Sequence, residues 1–64
     1  MYGDKIAQLR NNWNLSQRRM AREVGIERAA LSHYERNRRE PNFQTIIRIA
    51  DYFRVSVDDI IRHE

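Results

Sequence analysis

QRRMAREVGIERAALSHY, residues Gln17 to Tyr34, is the stretch on which the reading of the fold turns. Counted from Gln17, the small Ala21 stands fifth, Gly25 ninth and the branched Leu31 fifteenth, with Met20, Val24 and Ile26 between them. Two short helices that cross at about 90–120° need a tight corner. Gly25 belongs at that corner because only glycine takes positive φ without a Cβ clash. Ala21 is small where the second of these helices must come close to the first. Met20, Ala21 and Val24 face inward on the earlier helix, and Leu31 and Tyr34, at i and i+3, anchor the later one, which spans about Glu27 to Tyr34. Arg28, Ala29, Ser32 and His33 are left pointing elsewhere. A rigid helix with one free face is what a reader of a nucleic-acid groove requires.

Outward from this pair the chain predicts three more short helices. Upstream, Asp4 caps a first helix in which Ile6, Leu9 and Trp13 share a core face, and Asn14 stops it in a left-handed conformation. Ser16 starts the second helix. Downstream, Glu35 to Pro41 reads as a polar loop, with Asn37 in the αL region and Pro41 forbidding a helix through it. Asn42 caps a fourth helix whose apolar positions Phe43, Ile46, Ile49, Ala50 and Phe53 step by three and four, which makes it the central core helix. Ser56 and Asp59 have the spacing of a capping box ahead of a short fifth helix edged by Val57, Ile60 and Ile61. No segment alternates with period two, so the expected architecture is all-α, a compact bundle of five short helices carrying a helix-turn-helix.

Totals narrow the function classes. With 64 residues the chain is read as one domain, 1–64, standing alone or as part of a longer protein. It has no cysteine for a disulfide, and its two histidines and nine acids do not fall into a metal-ligating pattern. No cofactor is expected, no nucleophile has an evident base, and no glycine-rich loop could cradle a nucleotide, so enzyme activity is not expected either. No apolar run approaches the roughly 18 residues of a membrane span; a cytoplasmic protein with no membrane partner is the expectation. The net charge is +3, but residues 10–39 hold eight arginines against three glutamates, a local +5. Eleven of the twelve basic residues are arginine, whose planar donor fork suits phosphates and guanine edges.

From Ile6 to about Ile61 the sequence resembles the Xre/Cro-type helix-turn-helix family of phage repressors and bacterial regulators, a lambda-repressor-like DNA-binding domain. The residues that carry the resemblance are Ile6, Leu9-Arg10, Leu15-Ser16-Gln17, Met20-Ala21, Val24-Gly25-Ile26, Leu31-Ser32, Tyr34-Glu35, Arg39-Glu40-Pro41, Ile49-Ala50 and Val55-Ser56-Val57. The resemblance implies that Gln17 and Arg18 meet the DNA backbone and that Arg28, Ala29, Ser32 and His33 face base edges. Arg28 is the leading specificity residue, suited to guanine, and Ala29 suits a thymine methyl. Glu27 either accepts from a cytosine amine or caps its helix. The loop residues Arg36, Asn37, Arg38 and Arg39, with Asn42, Phe43 and Gln44, would clamp phosphates. Arg10 and Glu35 fall where the family often has a partly buried ion pair, so Arg10 is read as structural. His63 is read as idle.

Four positions depart from the family pattern. Glu27 replaces a serine or threonine cap, Asn37 replaces a common glycine, and Arg54 stands where glycine or asparagine ends the fourth helix, at a cost of about 1 kcal/mol. Trp13 occupies a usually polar place, so either the core extends there or an aromatic is offered to a partner. The expected function is sequence-specific binding of double-stranded DNA as a transcriptional regulator, a repressor, working as a homodimer on a palindromic operator; no small-molecule substrate is evident. Ile47 and the last helix are the candidates for the subunit contact. The alternative is an antitoxin or adaptor that uses Trp13 and the last helix to hold a protein. A non-specific nucleic-acid binder ranks last, since it has no need of so specific a helix pair.

Overall fold

The described helices of the chain begin, in three cases of five, on a side chain that caps them locally. In the computed structural model, which describes residues 2–62, these are α1 (Gly3–Asn12), α2 (Gln17–Val24), α3 (Arg28–Glu35), α4 (Phe43–Phe53) and α5 (Val57–Ile61), with no strand among the described residues. His63 lies outside the described residues. Ser16 Oγ accepts the Arg19 N–H at 3.0 Å, Asn42 Oδ1 accepts the Thr45 N–H at 2.8 Å, and Ser56 and Asp59 close a reciprocal capping box at 3.0 and 3.1 Å. The left-handed stops also fall where expected, with φ 56° at Asn14, 89° at Gly25, 59° at Asn37 and 59° at Arg54.

Two helix starts differ from the sequence reading. α1 begins at Gly3, with Tyr2 in the cap position and no side-chain cap, so Asp4 sits inside the first turn. The reason is tertiary: the Gly3 N–H donates to Asn37 Oδ1 at 3.0 Å, and that distant partner does the work of a local cap. Asp4 still meets the positive end of the helix dipole. Glu27 occupies the cap position of α3 but makes no side-chain cap hydrogen bond, so the capping alternative is not realised. Its side chain is longer than those of the residues that cap well.

One core joins all five helices: Ile6 and Leu9 of α1, Leu15, Met20, Ala21 and Val24 of α2 and its approach, Leu31 of α3, Ile46, Ile49, Ala50 and Phe53 of α4, and Ile60 of α5. α4 contributes four of these, more than any other helix, as its periodicity predicted. Burial of that face is what holds such short helices, since helices under about 12–15 residues are marginal alone. α3 packs against α1 and α2, and α4 against α2 and α5. Phe43 is a correction to the expected apolar face of α4: it is 67% exposed. As the first residue of the helix it lies beyond the end of the core that Ile46 begins. Trp13 is 48% exposed and packs its covered side on Phe53 and Tyr52, with ring centroids 4.9 and 5.7 Å away, so it borders the core and shows its other side to solvent.

Candidate nucleic-acid interface

The site is built on the α2–α3 pair. Gly25 turns the corner at φ 89°, and the N–H groups of Gly25 and Ile26 both donate to the Ala21 carbonyl at 2.9 Å, closing the end of α2. α3 then buries Leu31 completely and leaves Arg28 and Ala29 exposed, with Ser32 and His33 partly exposed. The i, i+1, i+4, i+5 spacing places these four on one side of the helix, opposite its anchor.

A polar node fixes the two ends of this pair. Arg10 Nε and Nη2 donate to the Glu35 carboxylate at 2.7 and 3.0 Å, and Arg10 Nη1 donates to the Leu15 carbonyl at 2.8 Å. Gln17 Nε2 donates to Glu35 Oε1 at 3.0 Å. The hydrogen bond to Glu35 pushes the Arg10 guanidinium pKa up, so Arg10 stays charged. Arg10 is thus structural, as the family resemblance implied. Sequence reading missed that Gln17 turns its side-chain amide to Glu35; a separation of 18 residues leaves no local signal for it.

The Gln17–Glu35 bond sets the start of α2 beside the end of α3. In sequence, Arg18 follows Gln17 and Arg36 follows Glu35, the two residues so joined. Arg18, Arg28, Arg36, Arg38 and Arg39 are all exposed, and none forms an ion pair among the described residues. The two ion pairs among the described residues join Arg10 to Glu35 and Arg19 to Glu23. Arginines without acidic partners are what a phosphate surface needs, because each keeps its donor fork free. At the start of α4, Asn42 spends its side-chain oxygen on Thr45, while the Phe43 and Gln44 N–H groups have no intrahelical acceptor. All three residues are exposed. Asn37 turns its Oδ1 to Gly3 and keeps its amide nitrogen for another acceptor.

A second polar link holds α2 to α4 on a different side. Tyr52 donates its hydroxyl to Glu23, which also accepts from Arg19 Nε at 2.9 Å. These bonds, the tyrosine's first, hold the Glu23 carboxyl below its usual range, and the same hydrogen bond to Glu23 pushes the Tyr52 hydroxyl up. Among the described residues no cluster of three histidine or acidic side chains could hold a metal, and no helix is long and apolar enough to cross a membrane.

Comparison with known proteins agrees with this geometry. Residues 6–60 match the model of a family described as helix-turn-helix. The chain is 34% identical to the HTH-type transcriptional regulator YqaE of Bacillus subtilis, over all of this chain and 55% of that protein. It is 30% identical to the HTH-type transcriptional activator BcrR of Enterococcus faecalis, over 98% of this chain and 31% of that one. It is likewise 30% identical to the cryptic phage CTXphi transcriptional repressor RstR of Vibrio cholerae, over 89% of this chain and 51% of that one. The chain thus spans about half the length, or less, of these curated relatives. In fold it superimposes on the P22 c2 repressor, crystallised with a synthetic operator, at a TM-score of 0.92 and 23% identity, covering all of this chain and 97% of that one. The match across the α2–α3 corner and the helices around it makes the chain a member of the Xre/Cro-like helix-turn-helix family.

Proposed function

We propose that the chain binds double-stranded DNA in a sequence-specific way as the DNA-binding domain, residues 1–64, of a transcriptional regulator, and that it represses by occupying an operator. The observation that carries this reading is the set of exposed arginines without acidic partners among the described residues: Arg28 on the free face of α3, Arg18 at the start of α2, and Arg36, Arg38 and Arg39 just after α3. The relatives support it, being named as regulators, one of them a phage repressor and another an activator.

In this reading α3 lies in the major groove. Arg28 reads guanine through O6 and N7, Ala29 meets a thymine methyl, and Ser32, His33 and Glu27 complete the base-facing set. Gln17 and Arg18 at the start of α2, Arg36, Asn37, Arg38 and Arg39 in the loop, and Asn42, Phe43 and Gln44 at the start of α4 grip phosphates. They set register and affinity and carry no sequence information. A module of this size covers only about 600–1,000 Å² of DNA surface. A homodimer on a palindromic operator, with half-sites about 34–36 Å apart, multiplies that grip. Ile47 and Ile61, 37% and 43% exposed, are the apolar side chains that such a subunit contact would cover. The protein then works where the DNA is, in the cytoplasm, and the proposal gives it no catalytic step.

Selection of bound duplexes from a random pool tests this. A palindromic consensus that contains guanine in each half-site is expected. Recovery of duplexes with no shared sequence would leave only non-specific phosphate binding, which the specific helix pair argues against.

A further inference from the structure

Asn37 holds φ 59° between α3 and Pro41, a conformation that glycine would take more easily. What glycine lacks is the side chain, and here Oδ1 accepts the Gly3 N–H at 3.0 Å across 34 residues of sequence. Gly3 is buried, and a Cβ on it would overlap both the Tyr34 carbonyl oxygen and Asn37 Oδ1. The first residue of α1 is therefore pressed against the last turn of α3 and the head of the loop. Two backbone bonds, Asn37 N–H to Tyr34 O at 3.1 Å and Arg38 N–H to His33 O at 2.9 Å, tie the loop to its own helix. The Gly3 bond ties it to a different one.

Arg36 and Arg38 flank Asn37 directly and Arg39 follows, all three exposed and without ion pairs among the described residues. A loop that must be ordered when it binds gives up affinity to that ordering, and fixing it beforehand recovers the loss. We infer that Asn37 is a positioning residue: by holding Gly3 of α1 it sets the arginine loop in its binding geometry before any phosphate arrives. It thereby raises affinity for every sequence and leaves base preference unchanged. This inference rests on the DNA-binding reading, and its test separates the two.

The variants are Asn37→Gly, which keeps the φ and removes the acceptor, and Asn37→Asp, which keeps both. Both are first checked by thermal unfolding to be folded. In the free protein, Asn37→Gly is expected to speed exchange of the Gly3 amide and lower backbone order across residues 36–40, and Asn37→Asp to restore both. On the duplex selected by the wild type, Asn37→Gly is expected to weaken binding roughly three- to tenfold, the cost of ordering the loop on binding, with an unchanged consensus. Arg38→Ala should then cost less in the Asn37→Gly background than alone. Unchanged loop order in Asn37→Gly overturns the inference whatever the DNA does, and so do strictly additive losses of affinity. If the wild type binds no duplex while Asn37→Gly still loosens the loop, the DNA reading falls and the Gly3 clamp stands.

Discussion

Arg10 and Glu35 stand 25 residues apart in sequence and 2.7 Å apart in space, and their side chains are 16% and 6% exposed. The pair joins α1 to the end of α3, and Gln17 adds the start of α2 to the same carboxylate. At this depth water screens the charges weakly, so what matters is whether each donor and acceptor is matched. Arg10 matches three of its nitrogens, two to Glu35 and one to the Leu15 carbonyl.

Glu35→Ala should therefore destabilise the domain by about 2–4 kcal/mol, since it strands the Arg10 charge and frees Gln17. Arg10→Met combined with Glu35→Leu should cost less than the two single changes summed, because no charge is left unpaired. Urea unfolding of wild type, Glu35→Ala, Arg10→Met, Glu35→Leu and the double variant measures both. Equal additivity would mean that the pair contributes no coupling.

Arg54 ends α4 with φ 59°, a conformation that costs a residue with a Cβ about 1 kcal/mol. Arg54→Gly should raise stability by up to about 1 kcal/mol, somewhat offset by the greater freedom of glycine in the unfolded chain. For a domain of this size that is a rise in Tm of a few degrees, on the scale of about 4–8 °C per kcal/mol. Arg54→Ala keeps the Cβ and should leave Tm nearly where it is. A Tm that falls in Arg54→Gly would show that the arginine side chain supplies more than the strain removes.

The local devices were legible because their causes are local. Ser16, Asn42 and the Ser56–Asp59 box cap within three residues of themselves, and Asn14, Gly25, Asn37 and Arg54 stop the chain where the left-handed region suits or at least admits them. The core stripe of α4 was equally readable from its period, except at Phe43, whose exposure depends on where the core ends. What could not be read were the bonds that cross the fold. Gln17 to Glu35 and Gly3 to Asn37 depend on how helices dock, and the second moved the start of α1 ahead of Asp4. A glycine such as Gly3, outside any turn, was the one hint of a close approach.

Stability should also depend on pH through Glu23 and Tyr52. The folded Glu23 carboxyl titrates below its usual range, so its contribution is present above that range and is lost as pH falls through the depressed value. Tyr52 titrates above its usual value, so its contribution is full below the ordinary tyrosine pKa and is lost as pH rises through the raised one. The Tm gap between wild type and Tyr52→Phe should thus be widest near neutrality and narrow at both extremes. A gap that is constant from acid to alkaline pH would mean that the Glu23–Tyr52 bond does not form in solution.

Trp13→Ala should lower stability by about 1–2 kcal/mol, through loss of its contacts with Phe53 and Tyr52. It should leave DNA affinity within about twofold once binding is measured well below the unfolding temperature, since a folded domain keeps its α3 face. An adaptor that holds a protein partner through Trp13 would show the reverse, with partner capture lost and the Tm little changed.

Titration of the selected duplex and its single-base variants with wild type, Arg28→Ala and Arg38→Ala, each at several salt concentrations, tests the role of α3 most directly. Arg28→Ala is predicted to lose about 1–3 kcal/mol of discrimination at one position in each half-site and to keep its preference elsewhere. Arg38→Ala is predicted to weaken every variant alike and to reduce the salt dependence by about one phosphate contact. Arg28→Ala that weakens all sequences equally, with no position relaxed, would contradict the placement of α3 against the bases.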